Sequence, residues 1–221
     1  MPIAQIEDLS ARVVAYARHV EDMILQCRSS LLNRTFDALI DVVEKAEPRA
    51  NELEVELEEE CTSLIAQHQP MAKELRTILM VRSMTNDLER MADHAVNIAE
   101  AALECSGLST TEPNEELLRL FDETLSMLDR AVRSFIGADG HLGKEVCEAD
   151  AVVDEMAADM LERMSASMTR TKDHFTIELS LCILKIAGNL ERIADLSTNI
   201  GEDVIYMTEG RVIKHHRAEE R

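Results

Sequence analysis

The sequence predicts an all-α protein made of two tandem, pseudo-symmetric three-helix bundles. Its 221 residues include four Phe, two Tyr, no Trp, seven Gly and four Pro. This scarcity of aromatic and turn-forming residues disfavours a many-stranded β-sheet. Apolar residues recur every three or four positions over long stretches, which is the period of an amphipathic helix. A segment of the first half also recurs 102 residues later, which indicates a tandem repeat.

Four helices are predicted in the first half. The apolar spacing predicts a helix over 9–32, a short helix over 35–45 and a third helix over 49–68. Pro70 then predicts the start of a long helix that continues to about residue 104, because proline suits the first turn of a helix. Three of these helices are long enough to form a bundle.

The second half repeats this plan. Apolar spacing predicts a helix over 114–136, a short piece over 141–147, a helix over 148–168 and a final long helix over 175–209. A polar segment at 107–113, which contains a glycine and a proline, separates the two halves.

The repeat extends to individual polar residues. Residues 86–100 and 188–202 are identical at eight of fifteen positions, with acidic, basic and amide side chains in register. Chance does not produce such a match, so the chain is a tandem duplication of a unit of about 100 residues. The predicted domains are 1–106 and 113–214.

Charge and cysteine usage exclude several classes of protein. Lys and Arg total 23 and Asp and Glu total 43, so the net charge is −20. This charge argues against nucleic-acid binding and against docking on an anionic membrane by charge alone. No apolar run is long enough to span a bilayer, and the first residues lack the pattern of a signal peptide. The five cysteines form no CxxC pair, so we expect a soluble protein of the reducing cytoplasm.

Each half has a line of oxygen ligands on its last long helix. The residues are four positions apart, so they share one helix face. They are Glu89, Asp93 and Asn97 in the first half and Glu191, Asp195 and Asn199 in the second. Hard cations take six or more oxygen ligands, so a second helix must supply more of them.

The preceding helix supplies these ligands if it is antiparallel, because residues equidistant from the connecting turn then lie level. The predicted pairs are Asp150 with Asp195, Asp154 with Glu191, Glu47 with Asp93, and Asn51 with Glu89. We predict these eight residues as metal ligands, and His94 could join the first set. The alternative is an ordinary solvated helix face, since acidic residues are abundant throughout the chain.

No catalytic residues and no site for an organic cofactor are predicted. The chain has no Gly-rich phosphate loop, no GxSxG and no HExxH. None of its seven histidines lies in the Glu-x-x-His motif of di-iron bundle oxidases. The cysteines have no neighbouring base in sequence and fit the role of small core residues.

The repeated motifs resemble those of the PhoU family of phosphate-uptake regulators. The resemblance is carried by LERMADHAVNIAE and LERIADLSTNIGEDVIYMTEG, about 100 residues apart, and by LIAQHQPMAKELR and IELSLCILKIAGNLER. It covers nearly the whole chain.

The resemblance implies a function as well as a fold. PhoU-like proteins are cytoplasmic, commonly homodimeric, and bind multinuclear iron or zinc clusters through E(D)xxxD motifs. They have no established catalytic activity. They restrain the phosphate-starvation response by contacting the phosphate transporter ATPase and a membrane sensor histidine kinase. By position, the family motifs match Glu89 with Asp93, Glu191 with Asp195, and Asp150 with Asp154.

The first half departs from the family pattern. Where the family has Asp-xxx-Asp, this chain has Glu47 and Asn51, and Pro48 is expected to fix the start of the helix there. Asn51 is a neutral ligand, so the first site is expected to bind metal more weakly than the second.

Two other functions stay open from the sequence. A metal-dependent hydrolase could use clustered carboxylates to hold a two-metal centre that activates water. A metal-free scaffold could use the acidic faces to bind a basic partner.

Overall fold

The computed structural model describes residues 3–108 and 114–210, and the described chain contains helices and no strand. The first half contains α1 (Ile3–Asn33), α2 (Asp37–Asp41), α3 (Glu47–His68) and α4 (Lys73–Glu104). The second half contains α5 (Glu115–Gly137), α6 (Gly140–Arg170) and α7 (His174–Glu209). The six long helices form two pseudo-symmetric three-helix bundles, which confirms the predicted fold class. Residues 109–113 of the predicted linker and the tail that contains His215 and His216 lie outside the described residues.

The helix α6 is continuous, so the prediction of a separate piece over 141–147 was wrong. The side chain of Asp139 accepts hydrogen bonds from the backbone N–H groups of His141 and Leu142, at 3.0 and 3.1 Å. This N-cap satisfies the first backbone N–H groups of the helix, so α6 begins directly after Asp139. Gly143 lies inside the helix and is buried.

Pro48 does not start a separate helix. A π-helix from Val42 to Ala46 joins α2 to α3 without an interruption, and Pro48 occupies the first turn of α3. Proline lacks the N–H that would bond four residues back, and its ring needs space there. The wider π turn accommodates both constraints, so the chain stays helical where the sequence predicted a start.

Pro70 does not start α4, which begins three residues later at Lys73. Gln69 ends α3 in the left-handed conformation, with φ of 47°, and Ala72 also has a positive φ, of 49°. The chain therefore makes a tight reversal, in which Pro70 is buried. The proline fills the turn between the helices and not the first turn of α4.

The longest helices, α4 and α7, pack against each other between the two halves. Cys182 Sγ donates to the carbonyl of Ala101 at 2.9 Å, and Nδ1 of His94 lies 2.9 Å from Oδ1 of Asn189. In each contact the two residue numbers add up to 283, so the helices are antiparallel.

The same relation places both acidic motifs at the centre of the molecule. Equivalent residues of the two halves differ by 102 in number, and facing residues of α4 and α7 add up to 283. Both conditions are met close to Arg90 and Arg192, so the pseudo-two-fold axis passes there. Each motif begins next to one of these arginines. None of the described helices combines the length and the apolarity that a membrane span requires.

Candidate functional site

The predicted antiparallel register is confirmed in both halves. In the second half, Cys147 Sγ lies 3.8 Å from the carbonyl of Thr198, and the two residue numbers add up to the predicted 345. In the first half, Arg82 pairs with Glu58 at 3.6 Å, and their numbers add up to the predicted 140. The acidic residues of α6 therefore lie beside those of α7, and those of α3 beside those of α4.

The second-half cluster is centred on Asp154. Partial burial raises the pKa of Glu191, and the charges of Asp154 and Asp195 raise it further. The pKa of Asp195 is raised by desolvation and then by Asp154, while Arg192, Arg90 and His94 oppose the shift. Three carboxylates thus repel one another at the surface between α6 and α7.

Burial, then Glu202 and then Asp150 raise the pKa of Cys147, which lies one turn before Asp150 in α6. The carboxylate with the largest effect on the pKa of Asp195 is Asp154, four residues beyond the level position 150. The reason is geometric: helical side chains lean toward the N-terminus of their own helix. In an antiparallel pair they lean in opposite directions. The side-chain ends that meet therefore belong to residues further along each helix than the two residues whose Cα atoms lie level.

The same lean brings Glu54 into the first-half cluster, although it was not predicted as a site residue. The pKa of Glu89 is raised by burial, then by Asp93 and then by Glu54, with Glu47 the smallest contributor. The pKa of Glu54 is itself raised by burial, by Glu58 and by Asp93. Glu54 lies in an acidic run, and its sequence gives no sign that it faces α4.

The side chain of Asn51 forms a hydrogen bond within its own helix, α3. Its side-chain amide donates to Oε1 of Glu47 at 2.7 Å, one turn earlier. The first cluster therefore has three mutually repelling carboxylates, Glu54, Glu89 and Asp93, as the second has Asp154, Glu191 and Asp195. Glu54 restores the negative charge that Asn51 lacks.

A buried tyrosine lies beneath the first cluster. Tyr16 of α1 is fully buried, and its hydroxyl has no hydrogen-bond partner among the described residues. Burial raises its pKa first, and the charges of Glu54, Glu89 and Asp93 raise it further. The phenol therefore stays protonated at neutral pH. Tyr16 was not predicted as a site residue.

His94 lies between the halves and bonds to Asn189, close enough to Asp195 to affect its pKa. Within 3–108 and 114–210, no three His, Cys, Asp or Glu side chains converge tightly enough to hold one metal ion. Each cluster consists of acidic side chains on two neighbouring helices, and a bound ion would have to draw these carboxylates together.

Acidification should stabilise the metal-free protein. Glu54, Glu89, Glu191 and Asp195 have raised pKa values in the folded state, so the folded protein binds more protons than the unfolded chain. Stability then falls as pH rises from the ordinary carboxyl range near 4 toward neutrality. We expect a higher melting temperature at pH 5 than at pH 7. The double variant Asp154→Asn, Asp195→Asn should show a smaller difference, and an equal difference would contradict the clustering.

The chain matches the PhoU domain model twice, over residues 13–102 and 117–204. A phosphate-specific transport system accessory protein PhoU homolog from Aquifex aeolicus is 31% identical over 98% of this chain and 97% of its own length. PhoU homolog 1 from Thermotoga maritima is 32% identical over 80% of this chain and 76% of its own.

Solved structures agree with these relatives. The crystal structure of PhoU from Pseudomonas aeruginosa superimposes with a TM-score of 0.89 at 26% identity, covering 96% of this chain and all of that one. The phosphate transport system regulatory protein PhoU from Streptococcus pneumoniae has the same fold, with a TM-score of 0.88. Two domain matches in tandem and relatives that span nearly the whole chain show that the protein belongs to the PhoU domain family.

Proposed function

We propose that this protein is an accessory regulator of phosphate transport that restrains phosphate uptake and the phosphate-starvation response. The observation that carries the proposal is the tandem pair of PhoU domains, together with full-length relatives named as accessory proteins of the phosphate-specific transport system. It acts in the cytoplasm as a homodimer, by contact with the transporter ATPase and a sensor histidine kinase.

The proposed role needs no catalysis. Burial raises the pKa of the Cys27 thiol to about 12 and that of Cys61 and Cys147 to about 11. Thiols of this kind stay protonated at neutral pH and are poor nucleophiles. The polar residues beside the pseudo-two-fold axis include acidic side chains and two arginines, a surface suited to binding.

Metal binding at the two acidic clusters is the second part of the proposal. Carboxylate oxygens are suitable ligands for iron and zinc, and three crowded carboxylates favour a cation that removes their repulsion. Asp150, Asp154, Glu191 and Asp195 would hold the ion or ions of the second cluster. Glu47, Asn51, Glu54, Glu89 and Asp93 would hold those of the first. A multinuclear iron or zinc cluster would neutralise this charge and tie α3 to α4 and α6 to α7.

A metal-free acidic scaffold is the second candidate. It is favoured by one observation: among the described side chains, no three metal-binding groups converge on a point. In that case the acidic faces would bind a basic surface of the partner directly. Elemental analysis of the purified protein distinguishes the two candidates.

Affinity capture tests the regulatory role. The tagged protein, expressed in its native host under phosphate-replete conditions, should retain a phosphate transporter ATPase or a phosphate sensor kinase. A matched bait with Asp154→Asn and Asp195→Asn should retain less of either partner if the loaded cluster shapes the contact surface. Recovery of neither partner from replete cells, with the tagged protein folded and abundant, would contradict the proposal.

A further inference from the structure

Two cysteines from different halves meet at the seam between α4 and α7. Cys182 of α7 is 8% exposed, and its Sγ donates to the carbonyl of Ala101 of α4 at 2.9 Å. One turn further along each helix, Lys185 pairs with Glu104 at 3.3 Å. These contacts hold this part of α7 against the last turn of α4.

Cys105 completes the pair. It is the C-cap residue of α4, one turn after Ala101, and its side chain leans back toward the level of Ala101 and Cys182. Its backbone N–H donates to the Ala101 carbonyl at 3.3 Å, and the same carbonyl accepts from Cys182 Sγ, so the two cysteines lie side by side at one carbonyl. Burial and then the neighbouring Cys105 raise the pKa of Cys182, whereas Lys185 lowers it. Cys105 is only partly buried, so solvent and small solutes reach this side of the pair.

The other three cysteines, all of which the structure describes, lie elsewhere. Cys27 and Cys61 are buried and face the carbonyls of Ala95 and Ile78. Cys147 faces the carbonyl of Thr198, on the opposite part of α7.

We propose that Cys105 and Cys182 are a reversible oxidation site, where a peroxide forms a disulfide that fastens the two halves together. The Cys105 sulfur attacks one oxygen of hydrogen peroxide, the O–O bond breaks, and sulfenic acid and water form. The Cys182 sulfur then attacks the sulfenic sulfur, the S–O bond breaks, and the oxygen leaves as a second water with the Cys182 proton. Two thiols and one peroxide thus give one disulfide and two waters, and a small dithiol reverses the bond.

The local backbone allows the closer approach that the bond requires. A disulfide brings the sulfurs to about 2.05 Å, closer than two sulfur atoms that are not bonded to each other. Cys105 ends α4 and is followed by the single 3-10 turn Ser106–Leu108, so few helical bonds resist a small shift. When the disulfide forms, the Ala101 carbonyl loses its hydrogen bond from Cys182. It still accepts one from the backbone N–H of Cys105, at 3.3 Å.

The bond would join the end of the first half to the start of α7. It closes a loop that contains α5 and α6, so it limits the freedom of the unfolded chain and the separation of α4 from α7. We therefore expect the oxidised protein to melt roughly 5–15 °C higher than the reduced protein.

Peptide mapping tests the proposal. Wild-type protein is treated with equimolar hydrogen peroxide, blocked with N-ethylmaleimide and digested with trypsin without reduction. The expected product is residues 91–119 linked to 173–185, because each of these peptides contains one cysteine. The linked peptide should disappear with dithiothreitol, be absent from Cys105→Ser and persist in the matched control Cys147→Ser.

Three outcomes would overturn the proposal. The first is a Cys105 that oxidises to sulfinic acid while Cys182 stays free. The second is a linkage between two copies of peptide 91–119, which would mean pairing between molecules. The third is recovery of both unlinked cysteines as maleimide adducts from folded, peroxide-treated protein. Circular dichroism of each cysteine variant checks that loss of the link does not come from unfolding.

Discussion

Replacing Gly201 with leucine is expected to destabilise the protein by about 3 kcal/mol and to lower its melting temperature by roughly 6–12 °C. A Cβ at Gly201 would lie 2.7 Å from the carbonyl oxygen of Gly143, and one at Gly143 would lie 2.8 Å from that of Gly201. The obstacle in both cases is backbone, which cannot rotate away, so α6 and α7 would have to separate. Thermal unfolding followed by circular dichroism measures the effect.

A glycine in the same helix provides the matched control. Gly188 is exposed in α7, and a Cβ there meets nothing within 4 Å. Gly188→Ala should therefore stabilise the protein by about 0.5–1 kcal/mol, since alanine loses less backbone entropy in a helix. Gly201 lies on the same helix pair as Asp154 and Glu191, so Gly201→Leu should also weaken the metal binding that we propose there. If Gly201→Leu and Gly188→Ala melt alike, the close approach of the two helices is contradicted.

Removing the metal that we propose at the two acidic clusters is expected to have the second large effect. A ligand present at 100 times its Kd stabilises the state that it binds by about 2.7 kcal/mol. Chelation should then lower the melting temperature by roughly 5–10 °C for a chain of this size. Without the cation, the carboxylates around Asp154 and around Glu54 repel one another again and loosen the contacts between their helices.

A charge-neutralising variant separates metal loss from other actions of the chelator. Asp154→Asn with Asp195→Asn removes repulsion without opening a core cavity, because both side chains are exposed. In the metal-free state this variant should melt above wild type, and the chelator should change its melting temperature less. If loaded wild type, chelated wild type and the metal-free variant melt at the same temperature, the acidic clusters are ordinary solvated faces.

The sequence was sufficient for the fold and for the helix register. Apolar spacing and the 102-residue repeat predicted six long helices in two similar halves, and the register that pairs α6 with α7 holds to within one residue at Gly143 and Gly201. Helix periodicity determines which face is buried, and a short connection determines that neighbouring helices are antiparallel. Both properties can be read from a single sequence.

The composition of the first cluster could not be predicted in the same way. Counting residues from the turn locates Cα atoms, but side chains lean along the helix axis, which brings the charge of Glu54 close enough to raise the pKa of Glu89. Tyr16 was not predicted because a sequence pattern does not reveal which buried side chain has its polar end near a charged surface. Pro70 misled the prediction because a proline is equally compatible with a tight turn and with the first turn of a helix.

Elemental analysis of the purified protein tests most directly whether the two acidic clusters are metal sites. Wild type should contain iron or zinc, and Glu54→Gln and Asp154→Asn should each lose about half of it, because each variant removes one carboxylate from one of two similar oxygen-rich sites. The matched control Glu59→Gln, an exposed change in the same acidic run, should keep the full amount. Wild type without transition metal, or the full amount in both cluster variants, would contradict the assignment.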